Sequence, residues 1–354
     1  MSRAQLTSTT QQDSGGAVAP FLAGKNKIIN GDFGIWQRGT SIAVANNQYS
    51  YYTTDHWSLT NGAVSGNAWT VSRQSTNDTT NLPSIQYCAR VQRNSGQTSG
   101  SGSYFSQPFE TAATIPLAGK TITISFYARK GADFTGGSSA ISCYLFTGTG
   151  TDENYWTAGY TGSASVSSSF LLTTTWQRFT FTTTLALTVK EMTCTFFQSA
   201  SGTAATNDYY EITGVQLEAG SVATPFTTAS NTLQGELALA QRYYFRQSFV
   251  AASQHFGLGQ CFSSTQAYAV IPFPVTMRTA PTSVETTGSA GDYILLNSAA
   301  SGVTCTAVPT FSAGWNNAGQ VVATVGSGLT AGNATKLGGL NATSAAYLGW
   351  SAEL

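Results

Sequence analysis

Proton transfer near neutral pH is most often done by histidine, and this chain of 354 residues has two, His56 and His255. His56 stands in an Asp55-His56-Trp57 element that suits a turn or strand start held by its neighbours. His255 is isolated between Gln254 and Phe256. Asp152 and Glu153 are adjacent carboxylates, but side chains of strand neighbours face opposite sides, and in a Gly- and Thr-rich loop both are expected to be solvated. The Gly-rich run Gly96 to Gly102 lacks the lysine and the strand-to-helix setting of a phosphate loop. Cys88, Cys143, Cys194, Cys261 and Cys305 are odd in number, widely spaced and without a C-x-x-C pair, against a metal site or a disulfide framework. Cys143 and Cys194 lie in apolar strand-like runs, where a thiol packs as a small hydrophobe. The expectation is a protein that is not an enzyme and uses no cofactor.

Aromatic side chains are the better candidates, because Tyr and Trp offer large, rigid contact area that stacks on sugar faces. Tyr49, Tyr51 and Tyr52 cluster before Asp55, and Tyr155, Trp156 and Tyr160 sit in a polar stretch. Tyr51, Tyr52, Tyr155, Trp156 and Tyr160 are therefore the candidate glycan-binding residues, expected at the surface. Trp36, Trp57 and Trp176 occupy motif or strand positions and are expected in the core.

These residues need a scaffold, and composition says which kind. Only 9% of residues are charged, 41% are hydrophobic and 12% aromatic, so polarity comes from hydroxyls and amides while enough apolar surface remains to fold. Ser, Thr and β-branched residues favour a pleated surface over a helix. Net charge is zero, which provides no field for nucleic acid, and no apolar run reaches the length of a membrane span. Thr121 to Arg129 alternates apolar and polar residues, predicting a strand with one buried and one wet face. Similar runs occur at Ile141 to Phe146, Trp176 to Thr182, Met192 to Phe197 and Tyr209 to Leu217, and later at Tyr268 to Met277, Tyr293 to Leu296, Gly319 to Val325 and Ala346 to Glu353. Pro272 and Pro274 should place the strand from Tyr268 at an edge or interrupt it.

One segment reads as a helix, with Asn231 as cap, Gln234 as its capping-box partner, and Leu233, Leu237, Gln241 and Tyr244 at helical steps. Being short, it needs a partner for its stripe, and Leu233, Leu237 and Tyr244 are expected to associate copies of the chain. The fold class is mainly β: two β-sandwich, jelly-roll-like domains joined by this helix, after an extended N-terminal anchor. The expected boundaries are 1–25 for the anchor, 26–229 and 247–354 for the domains, and 230–246 for the helix.

Three stretches carry a resemblance. They are Asn26 to Ser41 (NKIINGDFGIWQRGTS) with the following Asp55-His56-Trp57, Leu117 to Gly131 (LAGKTITISFYARKG), and Gly214 to Phe226 (GVQLEAGSVATPF) running into Glu236 to Tyr244 (ELALAQRYY). Together they resemble tail and fibre proteins of tailed phages, and the first domain resembles the jelly-roll carbohydrate-binding modules. Phe273 to Thr282 (FPVTMRTAPT) resembles the start of the C-terminal domain of such phage proteins. The resemblance implies a non-catalytic virion fibre, assembled in the host cytoplasm, with receptor binding to a host surface glycan. Its partners would be its own copies in a homotrimer, other virion proteins through residues 1–25, and host surface polysaccharide, with neither nucleic acid nor membrane insertion. A head or collar decoration fibre is the alternative, and a polysaccharide depolymerase a further one that the poverty in His and paired acids opposes. Related modules hold a structural calcium, for which Asp32 and Asp208 would be the oxygen ligands, although Gly34 occupies the place of an expected carboxylate.

Overall fold

A side-chain period of two shapes the first half of the chain. The computed structural model describes residues 24–62, 64–249, 254–296, 302–340 and 346–354, so the expected anchor lies outside the described residues except for its last two positions. Along Thr121–Lys130, Ile122, Ile124, Phe126 and Ala128 are fully buried, as the alternation predicts. The other face is not wet: Thr123 and Ser125 are also buried, because the chain after Gly220 returns across them. Thr123 Oγ1 donates to the Gly220 carbonyl at 2.8 Å, and Arg178 bonds both Ser125 Oγ and the Thr224 carbonyl.

Two six-stranded antiparallel sheets result. One runs in the order β1 (Ser41–Val44), β4 (Trp69–Ser75), β5 (Tyr87–Arg93), β12 (Tyr209–Ala219), β7 (Thr121–Lys130), β10 (Gln177–Thr184). The other runs β2 (Tyr51–Tyr52), β3 (Ser58–Thr60), β6 (Ser103–Phe109), β11 (Glu191–Gln198), β8 (Ala140–Gly148), β9 (Ala164–Leu171). Val71, Ile124 and Ile212 of the first share one core with Phe105, Cys143, Cys194 and Phe196 of the second, closed by Trp57 and Phe33. Each fully buried side chain of this kind stabilises by about 1.5–3 kcal/mol. Trp57 and Trp176 are buried as expected, Trp36 packs half-buried on the same core, and all five cysteines are buried.

The first and third of the motif stretches form the knot that closes this sandwich. Asn30, with φ of 55°, folds its amide back on Ile35 and Thr54, while its backbone N–H donates to Glu236 Oε1 at 2.6 Å. A Cβ on Gly31 would meet the Val215 carbonyl at 2.2 Å, so only glycine lets these two stretches touch. Gln216 and Glu218 of the GVQLE run hold the returning Thr224 and Thr227. Gln37 bonds Asp55 and the Tyr244 carbonyl.

The helix spans Leu233–Gln241, and its cap corrects the expected one. Asn231 is in the left-handed region, and Thr232 caps instead, its Oγ1 accepting from Gly235 N at 3.1 Å. Glu236, not Gln234, reaches back, accepting from Ser230 N as well as from Asn30. Leu233 is 70% exposed and Leu237 half-buried, but Tyr244 lies past the helix, fully buried, with its hydroxyl donating to Glu285 at 2.7 Å. The expected association stripe of Leu233, Leu237 and Tyr244 therefore loses one member to the chain's own interior.

The C-terminal part is not the expected sandwich. Strands β14 (His255–Cys261), β15 (Gln266–Pro272), β19 (Ala318–Val325), β18 (Gly302–Trp315), β17 (Tyr293–Leu296) and β20 (Ala334–Gly339) close into a barrel. Closure follows because β20 pairs with both β14 and β17, and the small inward residues Ala267, Ala269 and Ala323 fit a narrow interior. Register shifts along β18 supply the bend. The strand containing Pro272 ends there but is flanked on both sides, so interruption rather than an edge accommodates the proline. A small sheet, β13 (Tyr244–Ser248), β21 (Tyr347–Ser351), β16 (Glu285–Thr286), joins the barrel to the sandwich.

Candidate functional site

The second sheet of the sandwich turns one face to the core and the other outward. In Ser103–Phe109, Phe105 and Phe109 point inward, which sends Tyr104 and Ser106 outward; the same alternation sends Thr193, Thr195 and Phe197 of β11 and Tyr144 and Phe146 of β8 outward. The loop 149–162 folds back across this outer face. Its one-turn helix Tyr155–Ala158 is capped by Asn154, whose Oδ1 accepts from Trp156 N and Thr157 N.

The outcome is a closed ring of six aromatics. Centroid separations are 4.6 Å for Tyr104–Trp156, 5.0 Å for Trp156–Tyr155, 4.1 Å for Tyr155–Phe146, 5.4 Å for Phe146–Tyr144, 6.2 Å for Tyr144–Phe197 and 4.5 Å for Phe197–Tyr104. Phe146 is buried, and the other five are half-buried. Polar groups lie between them: Trp156 Nε1 donates to Ser106 Oγ at 3.1 Å, and Ser106 shares a hydrogen bond with Thr195 at 2.9 Å. Half-buried rings of this kind can stack on the apolar face of a sugar, while the fully buried Ser106–Thr195 pair beneath them holds Trp156 in place. Burial raises the phenols of Tyr104 and Tyr155, so both stay neutral donors.

Tyr155 and Trp156 are half-buried members of this ring, and Tyr160 is not one of them. It is 6% exposed, its hydroxyl bonded to Thr193 at 2.6 Å beneath the loop, which corrects its placement at the surface. Tyr51 is 42% exposed and Tyr52 half-buried, both on a neighbouring cleft of about 390 Å³ that also involves Arg38, Arg246 and Glu285. The two candidate groups meet at one point: Asn154 Nδ2 donates to Ser50 Oγ, and Tyr52 OH and Asn154 Nδ2 both donate to the Leu354 main-chain oxygen. Sequence reasoning missed Tyr104, Tyr144, Phe146 and Phe197. The available signal was their alternation with core residues in strands.

Glu153 is not simply solvated. Its carboxylate accepts from Thr161 N and Oγ1, and its N–H donates to Glu191 Oε1, whereas Asp152 is exposed and holds Thr111 N at 2.7 Å. Glu191 is 1% exposed, and its Oε2 has no partner. Burial pushes the Glu191 carboxyl up, with Glu153 alongside adding to the rise, while the Thr161 hydroxyl holds Glu153 below its ordinary value. Above the ordinary carboxylate pKa the folded chain therefore keeps a proton at Glu191 that the unfolded chain has lost, and stability falls as pH rises through the raised value. Glu191→Gln keeps the acceptor for Glu153 N and removes this loss. Its melting temperature should exceed the wild type's at neutral pH, with a flatter profile above the ordinary carboxylate range. An unchanged slope would show that Glu191 does not titrate in this way.

Neither histidine belongs to the aromatic ring. His56 is 2% exposed, stacked on Tyr243 at 3.7 Å with Nδ1 2.9 Å from Glu353 Oε2, and His255 is half-buried in β14. Nor do Asp32 and Asp208 form one calcium site. Asp208 is fully buried, accepts from Thr135 N and Oγ1, and lies 3.5 Å from Arg93, which already balances its charge. Asp32 accepts from Gly34 N, in a separate recess beside Glu236. Among the described residues no group of three or more His, Cys, Asp or Glu is placed to hold a metal ion.

No protein-family profile matches this chain. No curated protein matches it either. Among solved structures it is similar to the enzymatically active domain of tailspike protein 4 of bacteriophage CBA120, at 13% identity and a TM-score of 0.35, covering 55% of this chain and 22% of that one. It is also similar to a CBM4 module, at 20% identity and a TM-score of 0.30 over 54% of this chain and 98% of that one. The CBM22-1 xylan-binding domain of Paenibacillus barcinonensis Xyn10C aligns at 13% identity and a TM-score of 0.30, over 51% of this chain and 99% of that one.

Proposed function

We propose that this chain is a non-catalytic, glycan-binding subunit of a phage tail fibre, which attaches the virion to a host surface polysaccharide through Trp156, Tyr155 and Tyr104. The observation that carries the reading is the six-membered aromatic ring on the outer face of the second sheet, half-open and backed by the Ser106–Thr195 hydroxyl pair. Supporting it are the hydroxyl- and amide-rich, charge-poor composition and the three motif stretches that resemble phage fibre proteins. The fibre would be a homotrimer held in the virion through residues 1–25.

The test is the solution mass of the purified chain by light scattering, followed by its retardation in gels containing host capsule or lipopolysaccharide. A trimer that host polysaccharide retards, with no new reducing ends released, is the expected result. Release of reducing ends would replace the reading with a depolymerase. A chain that host polysaccharide leaves unretarded, but that binds phage particles lacking it, would make it a head or collar decoration fibre. A monomer would remove the fibre.

A further inference from the structure

The geometry points to Asn154 as a positioning residue that couples the C-terminal barrel to the aromatic ring. A side-chain amide has four hydrogen-bonding positions, and Asn154 uses all of them. Two serve the ring: Oδ1 accepts from Trp156 N at 2.9 Å and Thr157 N at 3.2 Å, forming the cap of the helical turn that carries Tyr155 and Trp156. Two serve the junction: Nδ2 donates to the Leu354 main-chain oxygen at 2.6 Å and to Ser50 Oγ at 3.1 Å.

Leu354 is itself held from both sides. Tyr52 OH donates to the same oxygen at 2.8 Å, and Arg278 of the barrel side grips the preceding carbonyls of Ala352 and Glu353 at 2.8 and 2.7 Å. A single helical turn has almost no stability of its own, so its cap decides whether it persists. The amide is planar and rigid, and any displacement of Leu354 reaches the cap oxygen directly. Moving the barrel away from the sandwich would release the turn and swing Tyr155 and Trp156 off Tyr104 and Phe146. The seating of Tyr155 and Trp156 against the strand-borne rings thus responds to the docking of the barrel. The consequence for affinity rests on the glycan reading above; the coupling itself does not.

Asn154→Ser separates the two duties, because serine caps a helix well but has no donor that reaches Leu354. We expect Asn154→Ser to shift the ¹⁹F resonance of 5-fluorotryptophan at position 156, assigned with Trp156→Phe, and to weaken polysaccharide retention roughly 5- to 10-fold. Tyr52→Phe, which loosens the same oxygen, should shift that resonance in the same direction. The double variant should fall short of the sum of the two, since both act through Leu354. A wild-type resonance in Asn154→Ser, or strict additivity with Tyr52→Phe, would overturn the coupling and leave Asn154 an ordinary cap. Should Asn154→Ser fold poorly, Asn154→Asp retains the cap and sets a carboxylate against Leu354, and it must show the larger shift. If the wild type binds no polysaccharide, the glycan reading fails while the resonance still decides the coupling.

Discussion

Trp156→Ala should weaken retention by host polysaccharide at least about 30-fold, the effect of losing roughly 2 kcal/mol at a central aromatic contact. Trp156 sits between Tyr104 at 4.6 Å and Tyr155 at 5.0 Å, so its removal opens the ring as well as deleting its largest face. Trp156→Phe is the informative control. It keeps an aromatic surface and loses only the bond from Nε1 to Ser106, whose hydroxyl retains Thr195 as partner. No buried polar group is orphaned, so the loss should stay within about 5-fold. Titration calorimetry with a defined host oligosaccharide separates the two variants. Equal affinity of Trp156→Ala and wild type would show that the ring only staples the loop 149–162 to the sheet, and the proposed function would fall with it.

Glu353→Ala should separate the melting of the barrel from that of the sandwich. The Glu353 carboxylate, 3% exposed, lies 3.3 Å from Arg38 and 2.9 Å from His56, both on the sandwich side. Removing it leaves the Arg38 guanidinium between the rings of Tyr52 and Tyr244 with its nearest anion gone. Breaking a buried pair from one side costs about 3–5 kcal/mol, because the surviving charge stays desolvated. Calorimetry should then show two transitions where the wild type shows one. Glu353→Gln, whose single amide oxygen can still accept from one of the two partners, should lose less. A single unchanged transition in Glu353→Ala would mean that the junction rests on Arg242 with Glu110 and on Gln37, not on this carboxylate. The same variant bears on the aromatic ring, since a loosened Leu354 loosens Asn154.

What the sequence determined by itself was local and periodic. The alternation from Thr121 to Arg129 placed Ile122, Ile124 and Phe126 in the core, since successive strand residues have only two faces to choose between. Cys143 and Cys194 were legible as buried because their flanks are apolar. Tertiary structure decided the rest. Thr123 and Ser125 are buried by a segment almost a hundred residues on, and nothing in their own neighbourhood records it. Tyr160 sits in a stretch whose composition reads as surface, yet the loop folds back and seals it against Thr193. Tyr104, Tyr144 and Phe197 come from three strands far apart in sequence, and only their pairing through β11 sets them around Trp156. The barrel closed for the same reason, β20 having found two partners. Periodicity assigns a residue to a face, but which face meets which is a matter of long-range pairing, whose energy no single segment contains.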